Sequence, residues 1–212
     1  MPVKLILFDL DGTLVDTKQD ITNALNCALK QYGIQELTVQ DTVKMVGEGI
    51  TRLIEKVLGD EKPGMRDEII RRFVEYYSEH LADYSREYPY VRETLEQLSL
   101  YKKAVISNKR ESLSEELLNK LDLLKYFDLI VGSDTTSERK PSPVPVQYVL
   151  GKLDIQQDES ILVGDSNYDI ESGKRAGIRT VAVTYGYRER KYLQDADYMI
   201  ESLKDLPGLI NG

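Results

Sequence analysis

The chain has 212 residues, of which 36 are acidic and 28 are basic, so its formal net charge is −8. This length allows one large or two small domains, and the acidic balance argues against nucleic acids and anionic membranes as partners. Because Cys27 is the single cysteine and the apolar start Val3–Phe8 is too short for a signal peptide or a membrane span, we expect a cytoplasmic protein without disulfides.

The first predicted element is a strand over Val3–Phe8, which ends in two aspartates one residue apart, Asp9 and Asp11. A short run with few polar residues is typical of a strand buried on both faces. The carboxyl ends of such strands border the ligand crevice of open α/β sheets. Two carboxylates a few ångströms apart repel by roughly 4 kcal/mol at an effective dielectric near 20, so a bound cation would stabilise them. On these residues alone, a strand followed by an Asp-Gly turn explains the pattern equally well.

Residues 16–85 are predicted to form a separate helical domain, which we call the cap. Helical spacing of apolar residues starts after Asp16 and stops at Gly33, with Cys27 on the apolar face, where we expect it to be buried. Further helices are predicted at about residues 38–46, 50–58 and 65–83. Since a crossover between parallel strands needs only about a dozen residues, this segment is interpreted as an insertion.

The rest of the chain, residues 1–15 and 86–212, is predicted to be an α/β core domain. Short apolar runs alternate with helical segments, which is typical of a Rossmann-like doubly wound parallel sheet covered on both faces. The predicted strands are Lys103–Ser107, Phe127–Gly132, Ser160–Gly164, Arg179–Val183 and a short last strand at Asp197–Ile200. The predicted helices lie near residues 91–99, 111–121, 144–152 and 167–176.

Polar residues follow the predicted core strands, and a parallel sheet would bring them to one edge. They are Asp9 and Asp11, Ser107-Asn108-Lys109, Lys140, and Gly164-Asp165-Ser166 with Asp169. Carboxylate oxygens suit Mg²⁺, and lysine binds phosphate as a point charge. Each segment alone has a structural explanation, such as a helix cap or a solvated loop lysine. Together they predict a site for a divalent cation and a phosphoryl group.

Four of these motifs, in this order, resemble the motifs of the haloacid dehalogenase superfamily. The matching residues are Asp9-Leu10-Asp11-Gly12-Thr13, Ser107-Asn108, Lys140-Pro141 and Gly164-Asp165-Ser166-x-x-Asp169. The resemblance spans the predicted core domain, and four ordered motifs are more specific than any one of them. An aspartate at the position of Asp11 favours phosphoryl transfer over carbon–halogen chemistry in this superfamily.

The resemblance implies a role for each motif. Asp9 would be the nucleophile that forms an aspartyl-phosphate, Asp11 the general acid and then the general base, and Lys140 a neutralising charge. The implied substrate-binding residues are Thr13, Ser107, Asn108, Lys109, Gly47 and Arg52. The implied Mg²⁺ ligands are Asp9, Asp165, the backbone carbonyl of Asp11 and Asp169, the last either directly or as an orienting residue.

The cap resembles the small helical cap that closes over small substrates in this superfamily. Ser107-Asn108-Lys109, Thr184-Tyr185-Gly186-Tyr187 and Val46-Gly47-Glu48-Gly49 resemble segments of phosphoglycolate phosphatases in particular. The implied function is Mg²⁺-dependent hydrolysis of small phosphorylated metabolites, above all 2-phosphoglycolate, by a monomer or homodimer. Arg52 or Lys44 would meet the substrate carboxylate, unless both belong to a solvated helix face.

Other functions stay open at this point. A phosphomutase of the β-phosphoglucomutase kind would use the same nucleophile, and a pyrophosphatase or nucleotidase of the superfamily would use the same site. The four intact charged residues Asp9, Asp11, Lys140 and Asp165 argue against a non-catalytic phosphoryl-binding regulator. The only histidine, His80, lies in a predicted helix of the cap, which argues against a Ser-His-Asp triad.

Overall fold

The computed structural model describes residues 2–59 and 63–211. Its strands are β1 (Leu5–Phe8), β2 (Val15–Asp16), β3 (Arg86–Glu87), β4 (Lys102–Ile106), β5 (Leu129–Val131), β6 (Ser160–Gly164), β7 (Arg179–Val183) and β8 (Tyr198–Ile200). Six of them form a parallel sheet in the order β5-β4-β1-β6-β7-β8. Since the chain runs outward from β1 to β5 and then returns to β6 on the other side of β1, the order reverses beside β1, where such sheets bind ligands.

Helices cover this sheet and fill the cap. They are α1 (Lys18–Leu29), α2 (Val39–Met45), α3 (Ile50–Leu58), α4 (Pro63–Glu79), α5 (Val91–Gln97), α6 (Glu111–Lys120), α7 (Val144–Leu153), α8 (Asn167–Arg175) and α9 (Leu206–Asn211). Every helix predicted from the sequence has a counterpart here, whereas α9 was not predicted. The predicted Rossmann-like α/β fold is confirmed.

Strand β1 is buried on both faces, as its apolar sequence predicts. Leu5 and Leu7 pack into one apolar cluster, and Ile6 and Phe8 pack into a second cluster on the other face, which continues into the cap. All four side chains are fully buried, and such burial contributes roughly 1.5–3 kcal/mol for each of them. This packing fixes the carboxyl end of β1, and with it Asp9, at the centre of the sheet edge.

The chain enters and leaves the cap through a short antiparallel ribbon formed by β2 and β3. Beside it, the buried carboxylate of Asp20 accepts hydrogen bonds from the amide of Tyr84 at 3.0 Å and from the amide and hydroxyl of Ser85 at 2.7 Å each. These contacts hold residues 84–85 beside the start of α1. The helix α4 ends at Glu79 rather than at the predicted residue 83, and a turn follows it. The division into a core and a cap at residues 15/16 and 85/86 stays a prediction.

One expectation for the cap is wrong, because Cys27 is exposed. The buried residues on its helix, α1, are Asp20, Ile21, Thr22, Ala24, Leu25, Ala28 and Leu29. With 3.6 residues per turn, the apolar members of this set share one face, and Cys27 lies on the opposite side of the helix. None of the helices in the described part of the chain is long and apolar enough to cross a membrane.

Candidate active site

The turn after β1 places Asp9 beside Asp165. The Asp9 amide donates a 2.9 Å hydrogen bond to the carbonyl of Val163 on the neighbouring strand β6. Gly12 has a φ of +91°, and a Cβ atom at this position would collide with the Asp165 carboxylate. Glycine is therefore required here, both for the backbone conformation and for the close approach of the two motifs.

Lys140 joins the first and last motifs. Its Nζ donates hydrogen bonds to Asp9 Oδ1 at 2.7 Å, to Asp169 Oδ1 at 2.6 Å and to the carbonyl of Ile106 at 2.6 Å. The lysine side chain is only 3% exposed. An ammonium group has three donors, so all of them are used, and Lys140 is fixed between the two carboxylates.

Three aspartates form a buried acidic cluster next to this lysine. One carboxylate oxygen from each of Asp9, Asp165 and Asp169 lies within 4.8 Å of the others. Both oxygens of Asp169 have partners, namely Lys140 and, at the start of α8, the amide and hydroxyl of Ser166. Asp9 and Asp165 each keep one oxygen that accepts no hydrogen bond from the described residues. This arrangement favours Asp9 and Asp165 as direct cation ligands and Asp169 as an orienting residue.

The acidic cluster contains more negative than positive charge. Burial raises the pKa of Asp9 to about 7, although Lys140 opposes the shift. Burial and the neighbouring carboxylates of Asp9 and Asp169 raise the pKa of Asp165 well above its usual value. One lysine thus faces three carboxylates, and a divalent cation would allow all three to be ionised. The all-oxygen donor set fits the predicted Mg²⁺.

The second motif follows β4 and connects the core to the cap. The Ser107 hydroxyl oxygen accepts a 3.1 Å hydrogen bond from the Lys109 amide. Asn108 Nδ2 donates to the carbonyl of Lys140 at 3.0 Å and to the carbonyl of Gly47, in the cap, at 2.7 Å. Ser107 and Asn108 are both buried. The second motif therefore lies against the third motif, as the sequence predicts.

The side chain of Asp11 is held by two groups, one from the loop after β4 and one from the start of α1. Its Oδ1 accepts hydrogen bonds from Lys109 Nζ at 2.5 Å and from the Thr17 hydroxyl at 2.6 Å. Lys109 Nζ also donates to the hydroxyl of Tyr77, on α4 of the cap, at 2.9 Å. Although burial acts in the opposite direction, Asp11 and Tyr77 raise the pKa of Lys109 above its usual value. Lys109 therefore remains charged beside Asp11.

A cavity of about 80 Å³ lies between these core residues and the cap. The predicted site residues that line it are Asp9, Asp11, Gly47, Ser107, Asn108, Lys109, Lys140 and Asp165. The cap contributes mainly apolar side chains to the opposite wall, including Ile50, Leu53 and Phe73. The wall of the cavity formed by the core is thus charged, and the wall formed by the cap is mainly apolar.

Two predicted substrate-binding residues do not line this cavity. Thr13 is fully buried, and its hydroxyl has no hydrogen-bond partner among the described residues. Arg52 lies on the outer face of α3, where its side chain is 58% exposed and pairs with Glu55 at 2.9 Å. Lys44 is also exposed, 3.7 Å from Asp41. The structure therefore does not bring Arg52 or Lys44 together with the other candidates.

Tyr187 is a site residue to which the sequence assigned no role. Its amide donates a 2.5 Å hydrogen bond to Asp165 Oδ2, and its hydroxyl accepts a 2.8 Å hydrogen bond from the amide of Thr17. Tyr187 follows β7, in a segment that resembles phosphoglycolate phosphatases. That resemblance was the only signal, because contacts between residues so distant in sequence leave no local pattern.

Arg188 was not predicted either, and it connects the same loop to the cap. Its guanidinium donates to the carbonyls of Val43 at 3.0 Å and Lys44 at 3.3 Å, and also to that of Val46. These carbonyls lie at the end of α2, where helix carbonyls lack partners within the helix. The loop after β7 therefore contacts both the acidic cluster and the cap.

Replacing Lys140 tests the electrostatics of the cluster. We expect Lys140→Met, at pH 8 without added metal, to lower the free energy of unfolding by about 3–5 kcal/mol, because it leaves buried carboxylates without a counter-charge. Urea denaturation followed by circular dichroism measures this loss. The control is Lys120→Met, at an exposed position on α6. A loss below about 1 kcal/mol for Lys140→Met would contradict the described pairing.

Comparisons with known proteins identify the family of the chain. Residues 6–183 match the family model described as haloacid dehalogenase-like hydrolase. A relative from Aquifex aeolicus named phosphoglycolate phosphatase is 42% identical over 211 residues, which cover 99% of this chain and 97% of the relative. A relative from Chromobacterium violaceum with the same name is 38% identical over 215 residues, covering 98% of this chain and 96% of the relative.

A solved structure gives the same result. The crystal structure described as a predicted phosphoglycolate phosphatase from Haemophilus somnus superposes with a TM-score of 0.93 at 30% identity, covering 98% of this chain and 97% of that one. The superfamily resemblance seen in the four motifs is thus confirmed over nearly the whole chain. The chain belongs to the family of haloacid dehalogenase-like hydrolases.

Proposed function

We propose that the protein is a Mg²⁺-dependent phosphatase of small phosphomonoesters and that 2-phosphoglycolate is its main substrate. The proposal depends chiefly on one observation, the meeting of Asp9, Asp165 and Asp169 with Lys140 at the carboxyl edge of β1. The names of the relatives support the choice of substrate.

In the proposed first step, a carboxylate oxygen of Asp9 attacks phosphorus as the bond to the leaving oxygen breaks. Asp11 gives its proton to that oxygen, so the alcohol leaves neutral and an aspartyl-phosphate remains. Lys140, Ser107 and the amide of Asn108 stabilise the negative charge of the transferring group. Mg²⁺, when bound by Asp9, Asp165 and the Asp11 carbonyl, would reduce the electrostatic repulsion between the negatively charged phosphoryl oxygens and the attacking carboxylate.

In the second step, water hydrolyses the aspartyl-phosphate. Asp11, now ionised, takes a proton from the water as it attacks phosphorus, and the carboxylate of Asp9 is regenerated with release of inorganic phosphate. The contacts from Lys109 and Thr17 hold Asp11 beside the cavity for both steps. The narrow cavity under the cap favours a small substrate over a macromolecule.

Metal removal tests the proposal directly. With 2-phosphoglycolate and Mg²⁺ we expect release of inorganic phosphate. We expect EDTA to lower the rate by at least about 1,000-fold, because the barrier rises by several kcal/mol without the metal. Asp165→Asn should raise the Mg²⁺ concentration for half-maximal rate by at least about 10-fold. The matched control Asp158→Asn changes an exposed aspartate in the turn before β6. It should leave the Mg²⁺ concentration for half-maximal rate unchanged. Full activity in EDTA would contradict the proposal.

The same assay separates the alternatives. Pyrophosphate, nucleoside monophosphates and phosphosugars are compared with 2-phosphoglycolate, and both free phosphate and isomerised sugar are measured. Conversion of a phosphosugar to its isomer without free phosphate would favour a phosphomutase. A higher kcat/KM for pyrophosphate or a nucleotide than for 2-phosphoglycolate would show that 2-phosphoglycolate is not the main substrate. The proposed transfer of a phosphoryl group to Asp9 and then to water would still stand.

A further inference from the structure

Lys109 and Tyr77 form a buried pair across the boundary between core and cap. The Lys109 side chain is 7% exposed and Tyr77 is 1% exposed. Lys109 Nζ lies 2.9 Å from the Tyr77 hydroxyl and 5.1 Å from the centre of its ring. Both residues line the cavity. The pair therefore combines one positive charge with one hydroxyl at the wall of the proposed substrate site.

Each member of the pair has a hydrogen-bond donor to spare. Lys109 Nζ has three donors and uses two of them, on Asp11 and on the Tyr77 hydroxyl. The Tyr77 hydroxyl accepts the second of these bonds, so its own proton is left over. Within residues 2–59 and 63–211, no further acceptor receives either donor. Since buried donors are normally satisfied, two of them beside a positive charge indicate an anionic ligand with two acceptor oxygens.

The other cations at the cavity are differently placed. Lys140 has all its donors on Asp9, Asp169 and a backbone carbonyl, and Arg188 donates to carbonyls of the cap. Arg110 is exposed. The cap residues that line the cavity are apolar or glycine, apart from Tyr77. Among the described residues, the Lys109–Tyr77 pair is thus the best-placed anion partner away from the phosphoryl group.

The position of the pair limits the length of the substrate. In the proposed mechanism Asp11 reaches the leaving oxygen, and hydrogen bonds between oxygen atoms span about 2.5–3.0 Å. Lys109 Nζ is 2.5 Å from Asp11, so an anion bound to Lys109 lies close to the leaving oxygen. We propose that Lys109 and Tyr77 bind a carboxylate attached to the carbon that bears the phosphoester oxygen. This inference rests on the proposed function and specifies its substrate class, the phosphate esters of 2-hydroxycarboxylates.

The test compares 2-phosphoglycolate with ethyl phosphate, in which a methyl group takes the place of the carboxylate. We expect Lys109→Met to lower kcat/KM for 2-phosphoglycolate about 100-fold and Tyr77→Phe to lower it about 10-fold, the usual range for lost charged and neutral hydrogen bonds. For ethyl phosphate, Tyr77→Phe should stay within about 3-fold of the parent, since no carboxylate contact is lost. Because Lys109 also holds Asp11, Lys109→Met should lower kcat/KM for ethyl phosphate too, but by a factor about 10-fold smaller than for 2-phosphoglycolate. Lys120→Met and Tyr192→Phe, at exposed positions, serve as matched controls.

Tyr77→Phe removes a single oxygen, and its unfolding midpoint is measured to verify the fold. Equal losses for both substrates in both variants would overturn the inference, because the pair would then act on Asp11 or on the phosphoryl group. A parent enzyme that hydrolyses ethyl phosphate as well as 2-phosphoglycolate would overturn it too, while the phosphatase proposal would stand. If neither ester releases phosphate, the proposed function fails, and the inference fails with it.

Discussion

Asp9→Asn is expected to lower kcat for 2-phosphoglycolate by at least about 10⁴-fold, because an amide cannot form the covalent intermediate and removal of a nucleophile typically costs 10⁴-fold or more. The assay is release of inorganic phosphate at saturating Mg²⁺. The variant should remain folded, since Asn is nearly isosteric with Asp and Lys140 keeps its bond to Asp169. Asn at position 9 also removes one negative charge from a cluster in which burial already raises the pKa of Asp9.

The control for this variant is Asp67→Asn, at a position of α4 whose side chain is 80% exposed. It should match the parent in rate and in unfolding midpoint. If Asp9→Asn is folded and keeps more than about one per cent of the parent rate, Asp9 is not the nucleophile, because loss of a covalent nucleophile leaves far less activity. A rate equal to that of the parent would revive the hypothesis of a non-catalytic phosphoryl-binding regulator, because the measured turnover would then not come from this site.

Asp11→Asn is expected to have the second largest effect, and its size should depend on the leaving group. For 2-phosphoglycolate, loss of the general acid should lower kcat about 10³-fold, within the usual 10²–10⁴-fold contribution of such a group. p-Nitrophenyl phosphate has an acidic leaving group that needs no proton. The substitution should therefore hardly slow the transfer of its phosphoryl group to Asp9. Because Asp11 is also the proposed base of the second step, hydrolysis of the aspartyl-phosphate should still be slow.

Rapid mixing of Asp11→Asn with p-nitrophenyl phosphate should therefore give a burst of about one nitrophenol per enzyme, followed by slow turnover. Parent enzyme under the same conditions gives the reference rate. Asp83→Asn, at an exposed position of the cap, is a control that should behave like the parent. Equal slowing of both substrates without a burst would show that Asp11 does not have the two proposed roles.

The core strands could be predicted because each is a short apolar run with a definite end. The strands Ser160–Gly164 and Arg179–Val183 have the predicted bounds. The site followed from them, since the ends of parallel strands share one edge of the sheet. The two-residue strands β2 and β3 could not be predicted, because two residues contain no periodic pattern.

The contribution of the cap was harder to predict than that of the core. Spacing locates its helices but not which of their faces turns toward the core, so Arg52 was proposed as a substrate-binding residue although it lies outside the cavity. Tyr77 and Arg188 were missed as well. Their contacts, to Lys109 and to the end of α2, depend on how the cap packs against the core.

The most direct test of the proposed mechanism is detection of the aspartyl-phosphate on Asp9. Asp11→Asn, which should hydrolyse it slowly, is mixed with p-nitrophenyl phosphate and Mg²⁺, quenched in acid and digested, and the peptides are weighed by mass spectrometry. We predict that the peptide with Asp9 gains the mass of one phosphoryl group, and that Asp9→Asn in the same background abolishes the gain. No phosphorylated peptide despite turnover, or phosphorylation at another residue, would contradict the account.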